Sequence, residues 1–119
     1  MTTRVDLHAS FKKDLKPLAR KYRAVVTELD DLITELEAGK RTGDKIPNVG
    51  YDVYKVRLAN PSAGRGKRGG FRVVYYVKLA DHVILLTIYS KTEQSDIPTQ
   101  TIQTLIEEIA NTQTGASDE

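Results

Sequence analysis

The residues in this chain best equipped for chemistry are cations held apart from acids. Between Asp52 and Asp81 stand Lys55, Arg57, Arg65, Lys67, Arg68, Arg72 and Lys78, with no Asp or Glu among them. The whole chain carries 18 Lys and Arg against 16 Asp and Glu, so outside this stretch acids outnumber bases. A basic block set on strands and a Gly-rich turn suits a polyanion, nucleic acid above all. Tyr89 and Lys91 follow on a later apolar-rich segment, with Glu93 the nearest acid. Arginine and lysine could stabilise charge growing on a phosphate, and a phenol, an amine or a carboxylate could move a proton.

Other chemistries lack their residues. There are no cysteines, which excludes a disulfide framework, a thiolate zinc site and a cysteine nucleophile. Neither His8 nor His82 has a neighbour at metal-ligand spacing, and no Ser-His-Asp arrangement is supported. We therefore expect no metal and no cofactor. Gly64-Arg65-Gly66-Lys67-Arg68-Gly69-Gly70 resembles a phosphate loop but has Arg68 where Ser or Thr must follow the lysine. It also precedes a strand, so no helix dipole points at it. With no apolar leader and no apolar run of membrane-spanning length, a cytoplasmic protein is expected.

The elements that must position these cations are legible from periodicity. Residues 4–8 alternate as a short strand. Ser10 offers a cap to a helix containing Phe11, Leu15, Leu18 and Tyr22, which Pro17 is expected to bend or break. A second helix over 23–38 has Val25, Val26, Leu29, Leu32, Ile33 and Leu36 as its apolar stripe. Residues 39–50 read as loop. Strands follow at 52–58, 71–77 and 83–91, then a helix over 98–110 with Ile102, Leu105, Ile106 and Ile109 on one face. Residues 111–119 lack large apolar side chains and are expected to form a disordered tail after a single domain of residues 1–110. The expectation is a compact α+β domain, β-α-α-β-β-β-α, with a mostly antiparallel sheet and helices packed on one face.

Strand alternation sorts the charges. If the last turn pairs Lys78 with Val83, Arg72 lies opposite Tyr89, Val74 opposite Thr87 and Tyr76 opposite Leu85. Phe71, Val73, Tyr75 and Val77, facing Ile84, Leu86, Ile88 and Ser90, then form the core face. Lys55, Arg57, Arg72, Tyr89 and Lys91 converge on the other, open face, rimmed by Arg65, Lys67 and Arg68. A merely solvated sheet face would mix its signs.

Three segments, Tyr54-Lys55-Val56-Arg57, Gly66 to Tyr76 (GKRGGFRVVYY) and Leu85 to Asp96 (LLTIYSKTEQSD), strongly resemble the RelE/ParE toxin superfamily, most closely its RelE-like HigB branch. The resemblance spans roughly residues 5–110; the last two segments are its specific part. It implies the toxin of a type II toxin–antitoxin pair, a metal-independent endoribonuclease that cuts mRNA, usually on the ribosome. In that chemistry the 2′-OH attacks the adjacent phosphate in line. It also implies a protein antitoxin from an adjacent gene, commonly helix-turn-helix, through which the pair binds operator DNA.

On this resemblance Arg72 matches the catalytic arginine. Lys91, Tyr89 and Glu93 are candidates for proton transfer, and Lys55, Arg57, Arg65, Lys67 and Arg68 would hold RNA phosphates. Several relatives carry a functional aromatic or histidine near the C terminus, which residues 111–119 lack. A gyrase-inhibiting toxin of the ParE type, or a non-catalytic nucleic-acid-binding module, are the alternatives.

Overall fold

The computed structural model of the chain describes residues 2–64, 70–94 and 96–117, the side chains of 63 and 111–117 excepted. Its elements are β1 (Arg4–Leu7), α1 (Ala9–Lys21), α2 (Ala24–Glu37), β2 (Asp44–Lys45), β3 (Val53–Leu58), β4 (Phe71–Leu79), β5 (His82–Ser90) and α3 (Thr99–Ser117). The strands form one sheet in the order β1-β5-β4-β3-β2. β1 runs parallel to β5, and every other pairing is antiparallel. This is the expected α+β class, with a two-residue strand added at one edge.

The helices, however, do not share one face. Phe11 and Leu18 of α1, and Val25, Leu29, Leu32 and Leu36 of α2, pack on Val56, Leu58, Phe71, Val73, Tyr75, Val83, Leu85 and Ile88. Ile102, Leu105 and Ile106 of α3 pack on the opposite side against Val53, Val74, Ile84, Leu86 and Tyr89. The physical reason is a β-bulge. Arg72 pairs with Tyr89 and Val74 with Thr87, as alternation predicts; but Tyr75 then pairs with Leu85 and Tyr76 with Ile84. Leu86 is the extra residue, and it shifts the preceding part of β5 by one. Val83 and Leu85 therefore turn towards α1 and α2, while Ile84 and Leu86 furnish the apolar floor for α3.

The helix termini also depart from expectation. The cap of α1 is His8, whose Nδ1 accepts from the Ser10 backbone N–H at 2.9 Å. α1 runs unbroken through Pro17, which removes only one backbone donor. Val26, assigned to the apolar stripe of α2, is 47% exposed. The α3 backbone is helical to Ser117, so the stretch expected to be disordered from Asn111 begins as helix. Both histidines act as ties: His82 Nε2 lies 2.7 Å from Asp6 Oδ2 on β1, and His8 Nε2 lies 3.1 Å from the Leu105 carbonyl on α3. No helix among the described residues is long and apolar enough to cross a membrane.

Candidate functional site

At one end of the α3-covered face, the apolar contacts give way to charge. Arg57 on β3 lies directly opposite Arg72 on β4, and Arg72 lies opposite Tyr89 on β5. Like charges paired across strands repel. Arg72 is 5% exposed, and its Nη1 donates to the Phe71 carbonyl at 3.1 Å. Burial first, and then the neighbouring Arg57 charge, pull its pKa below that of an ordinary arginine, against the Tyr89 side chain. The site is thus not the open face that alternation suggested. Arg72 and Tyr89 are both buried, and among the described residues the strand cations beside them that remain accessible are Arg57 and Lys55.

Tyr89 is held by a residue that sequence reasoning missed. Asp96 Oδ1 accepts from the Ile97 backbone N–H at 2.9 Å, from Lys55 Nζ at 3.3 Å and from the Tyr89 hydroxyl at 3.4 Å. The Ile97 N–H lowers the Asp96 pKa most; burial opposes this and Lys55 adds to it. Burial, and then the Asp96 charge and hydrogen bond, push the Tyr89 phenol up to about 12, against the pull of Arg72. The phenol therefore keeps its proton at neutral pH. A short polar run before an apolar-periodic helix reads as a helix start, and that reading hid Asp96. Its place within the LLTIYSKTEQSD segment was the available signal.

Two glycines fix this geometry. A Cβ on Gly70 would lie 1.9 Å from the Leu58 carbonyl oxygen, and the Gly70 carbonyl accepts from the Lys91 N–H at 2.9 Å. Gly70 thus joins the end of β3 to the turn after β5. Gly43 has φ +100° and would place a Cβ 2.4 Å from the Lys55 carbonyl oxygen. Only glycine lets the chain approach this closely behind Lys55.

The remaining predicted residues divide. Lys91 and Glu93 lie exposed in the turn after β5. Glu93 lines a cleft of about 490 Å³ between α1 and the end of β5, together with Lys13, Asp14, Lys21, Tyr89 and Gln94. It therefore faces α1 at the end of β5. Arg65, Lys67 and Arg68 lie outside the described residues. No group of three His, Asp or Glu side chains suited to a metal ion occurs among the described residues.

A family profile described as the RelE toxin of the RelE/RelB toxin–antitoxin system matches residues 9–119. The fold is similar to that of a double mutant of the E. coli toxin RelE in the free state, with a TM-score of 0.54 and 20% identity. That match covers 80% of this chain and 90% of the RelE chain.

Proposed function

This chain belongs to the RelE toxin family and is a toxin of a toxin–antitoxin system, and from that premise we propose that it is an endoribonuclease that cleaves mRNA on the ribosome and so stops translation. The observation that carries this reading is the buried Arg72, pressed between the Arg57 charge and the Tyr89 phenol. A phosphate placed beside these two opposed arginines would be held by both. Charge grows on the non-bridging oxygens as the 2′-oxygen attacks phosphorus, so the arginines bind the transition state more strongly than the ground state.

In the proposed reaction the 2′-hydroxyl loses its proton and its oxygen bonds to the adjacent phosphorus in line. The P–O5′ bond breaks, leaving a 2′,3′-cyclic phosphate and a 5′-hydroxyl. Arg72 and Arg57 stabilise the developing charge, and each preorganised donor of this kind is worth about 3–4 kcal/mol. Tyr89, protonated and oriented by Asp96, gives its proton to the departing O5′. Glu93 and Lys91 are the proton-accepting candidates, and Lys55, Arg57, Arg65, Lys67 and Arg68 grip flanking phosphates. No metal or cofactor takes part in this scheme.

The HigB-like assignment rests on the GKRGGFRVVYY and LLTIYSKTEQSD segments. The partner that neutralises the toxin is a protein antitoxin encoded beside it, and the pair reaches operator DNA through that antitoxin.

Primer extension on mRNA after brief expression tests the proposal. Wild type should give discrete cuts within translated codons, and Arg72→Ala should give none while remaining folded by circular dichroism. Cleavage at the wild-type rate in Arg72→Ala would remove Arg72 from the mechanism. Intact mRNA with a DNA-damage response in wild type would favour gyrase inhibition instead.

A further inference from the structure

A second pocket lies at the other end of the sheet face that α3 covers. Tyr51, Tyr76, Lys78, Ile106, Glu107 and Ile109 line a space of about 290 Å³ between β4 and the second half of α3. Lys78 stands six positions beyond Arg72 on β4, which is roughly 20 Å along a strand. The pocket is therefore separate from the arginine site.

Two local irregularities shape it. Val77 pairs with Val83 and Leu79 with His82, so Lys78 is the extra residue of a bulge at the end of β4. A bulge frees its inserted residue from the ladder and re-aims the side chain, and here that side chain lines the pocket. On the other wall, Asn48 (φ +63°) and Gly50 (φ +87°) both take left-handed backbone, which residues other than glycine seldom adopt. The turn they make buries Val49, whose carbonyl accepts from Gln103 Nε2 of α3 at 2.9 Å. Tyr51 follows directly and is thereby held against Tyr76. The two rings meet nearly at right angles, with an interplanar angle of 77° and centres 5.8 Å apart.

The polar ends of this pocket are not used by the fold. Among the described residues neither tyrosine hydroxyl, the Lys78 ammonium nor the Glu107 carboxylate has a hydrogen bond or an ion pair. Burial, and then Tyr51, push the Tyr76 phenol above its ordinary value, so it keeps its proton and can donate. Ile106 and Ile109 supply an apolar wall. An apolar wall on which a few unengaged polar groups converge is the composition of a small-ligand site.

We propose that this pocket binds a single ribonucleotide, with its base in the corner between Tyr51 and Tyr76, its phosphate at Lys78 and its ribose hydroxyls at Glu107. Two rings at right angles accept a flat third ring, face against one and edge toward the other. An ammonium is a point-charge partner for phosphate, and a carboxylate accepts from ribose hydroxyls. The opposite signs of Lys78 and Glu107 match a ligand with an anion at one end and donors elsewhere. A ribose with both hydroxyls free occurs on a nucleoside 5′-monophosphate and on the last nucleotide of an RNA strand. Both carry the chemistry that the pocket would recognise.

The proposal goes beyond the cleavage reading and does not depend on it, and its test is binding. The full chain is titrated by NMR with AMP, GMP, CMP and UMP. A parallel titration uses a hexanucleotide that cannot be cut, with 2′-O-methyl groups on every ribose except the last. The Tyr51 and Tyr76 ring signals should shift. Shifts with a mononucleotide assign the pocket to free nucleotides, and shifts with the hexanucleotide alone assign it to RNA ends. Lys78→Gln should weaken the responding ligand about tenfold, and Lys78→Arg should restore it. The same ligand without its terminal 2′- and 3′-hydroxyls should bind about tenfold more weakly, and Glu107→Ala should abolish that difference.

Ring signals that no nucleotide moves would overturn the proposal. So would unchanged affinity in Lys78→Gln, which places the bound nucleotide elsewhere. If only the cognate antitoxin moves these rings, the pocket belongs to a protein contact and the proposal fails. The wild-type titration needs no variant, so a variant that does not fold leaves the proposal exposed to refutation. Cleavage of mRNA by Lys78→Gln should stay within about twofold of wild type, because sites this far apart act independently. Loss of cleavage reads Arg72, and loss of the ring shifts reads this pocket, so either reading can fail alone.

Discussion

At the scale of single residues, the site turns on Asp96. A carboxylate oxygen that accepts from a backbone N–H, an ammonium and a phenol fixes all three donors in space. Asp96→Asn keeps the shape and removes the charge. The Tyr89 phenol, held up to about 12, should then titrate at a lower pH, because the Asp96 charge is one cause of its elevation. Tyrosine carbon shifts followed by NMR would show this, and an unmoved Tyr89 titration would contradict the assigned role. Cleavage by Asp96→Asn should fall by about 10-fold or more if the phenol is the proton donor. Alternation sends Arg72, Tyr89, Arg57 and Lys55 to one face, and the strand register agrees with that placement. Sequence reasoning missed Asp96 because a side chain bonding backward across a loop follows no period.

At the scale of elements, the bulge and the glycines decide where those residues stand. The predicted pairing of Arg72 with Tyr89 is observed, whereas Tyr76 pairs with Ile84 instead of Leu85 because Leu86 is inserted. No periodic pattern announces a one-residue insertion within a run of consecutive apolar residues. That single insertion also explains why α3 covers a face expected to be open. Ile102 is 1% exposed in that interface, and Ile102→Ala should cost about 2–5 kcal/mol, measured from the denaturant midpoint. Gly70→Ala should cost at least about 2 kcal/mol, since its Cβ would collide with backbone and not with a yielding side chain. It should also impair cleavage by displacing the turn that carries Lys91. A Gly70→Ala protein with wild-type stability would show that the β3 end moves freely.

At the scale of the whole molecule, two depressed carboxylates lie in different parts of the fold. Asp6 joins β1 to β5 through His82. Burial alone would raise its pKa, but the hydrogen bonds from His82 and Arg4 outweigh it and leave it below the usual 3.8. Asp96 is lowered by the Ile97 N–H and Lys55. A carboxylate held below its unfolded value stabilises the fold above that unfolded value, and the contribution disappears as pH falls through the folded one. Thermal midpoints should thus decline below about pH 4, and Asp6→Asn and Asp96→Asn should each flatten that decline. An unaltered acid limb in both variants would show that other groups govern it.

The parallel pairing of β1 with β5 carries one more consequence, for the order of events during synthesis. Residues 4–7 leave the ribosome well before their strand partners, residues 82–85. Joining ends so far apart in the chain is slow, because the intervening loop must lose its freedom before any contact rewards it. Until β5 has emerged, β1 has no ladder to join and α1 lacks the strand on which it chiefly packs. Tyr89 and Asp96 emerge later still. A nascent chain therefore cannot assemble the cluster of Arg72, Tyr89 and Asp96, and with it the proposed activity, until β5 and the turn after it have been made.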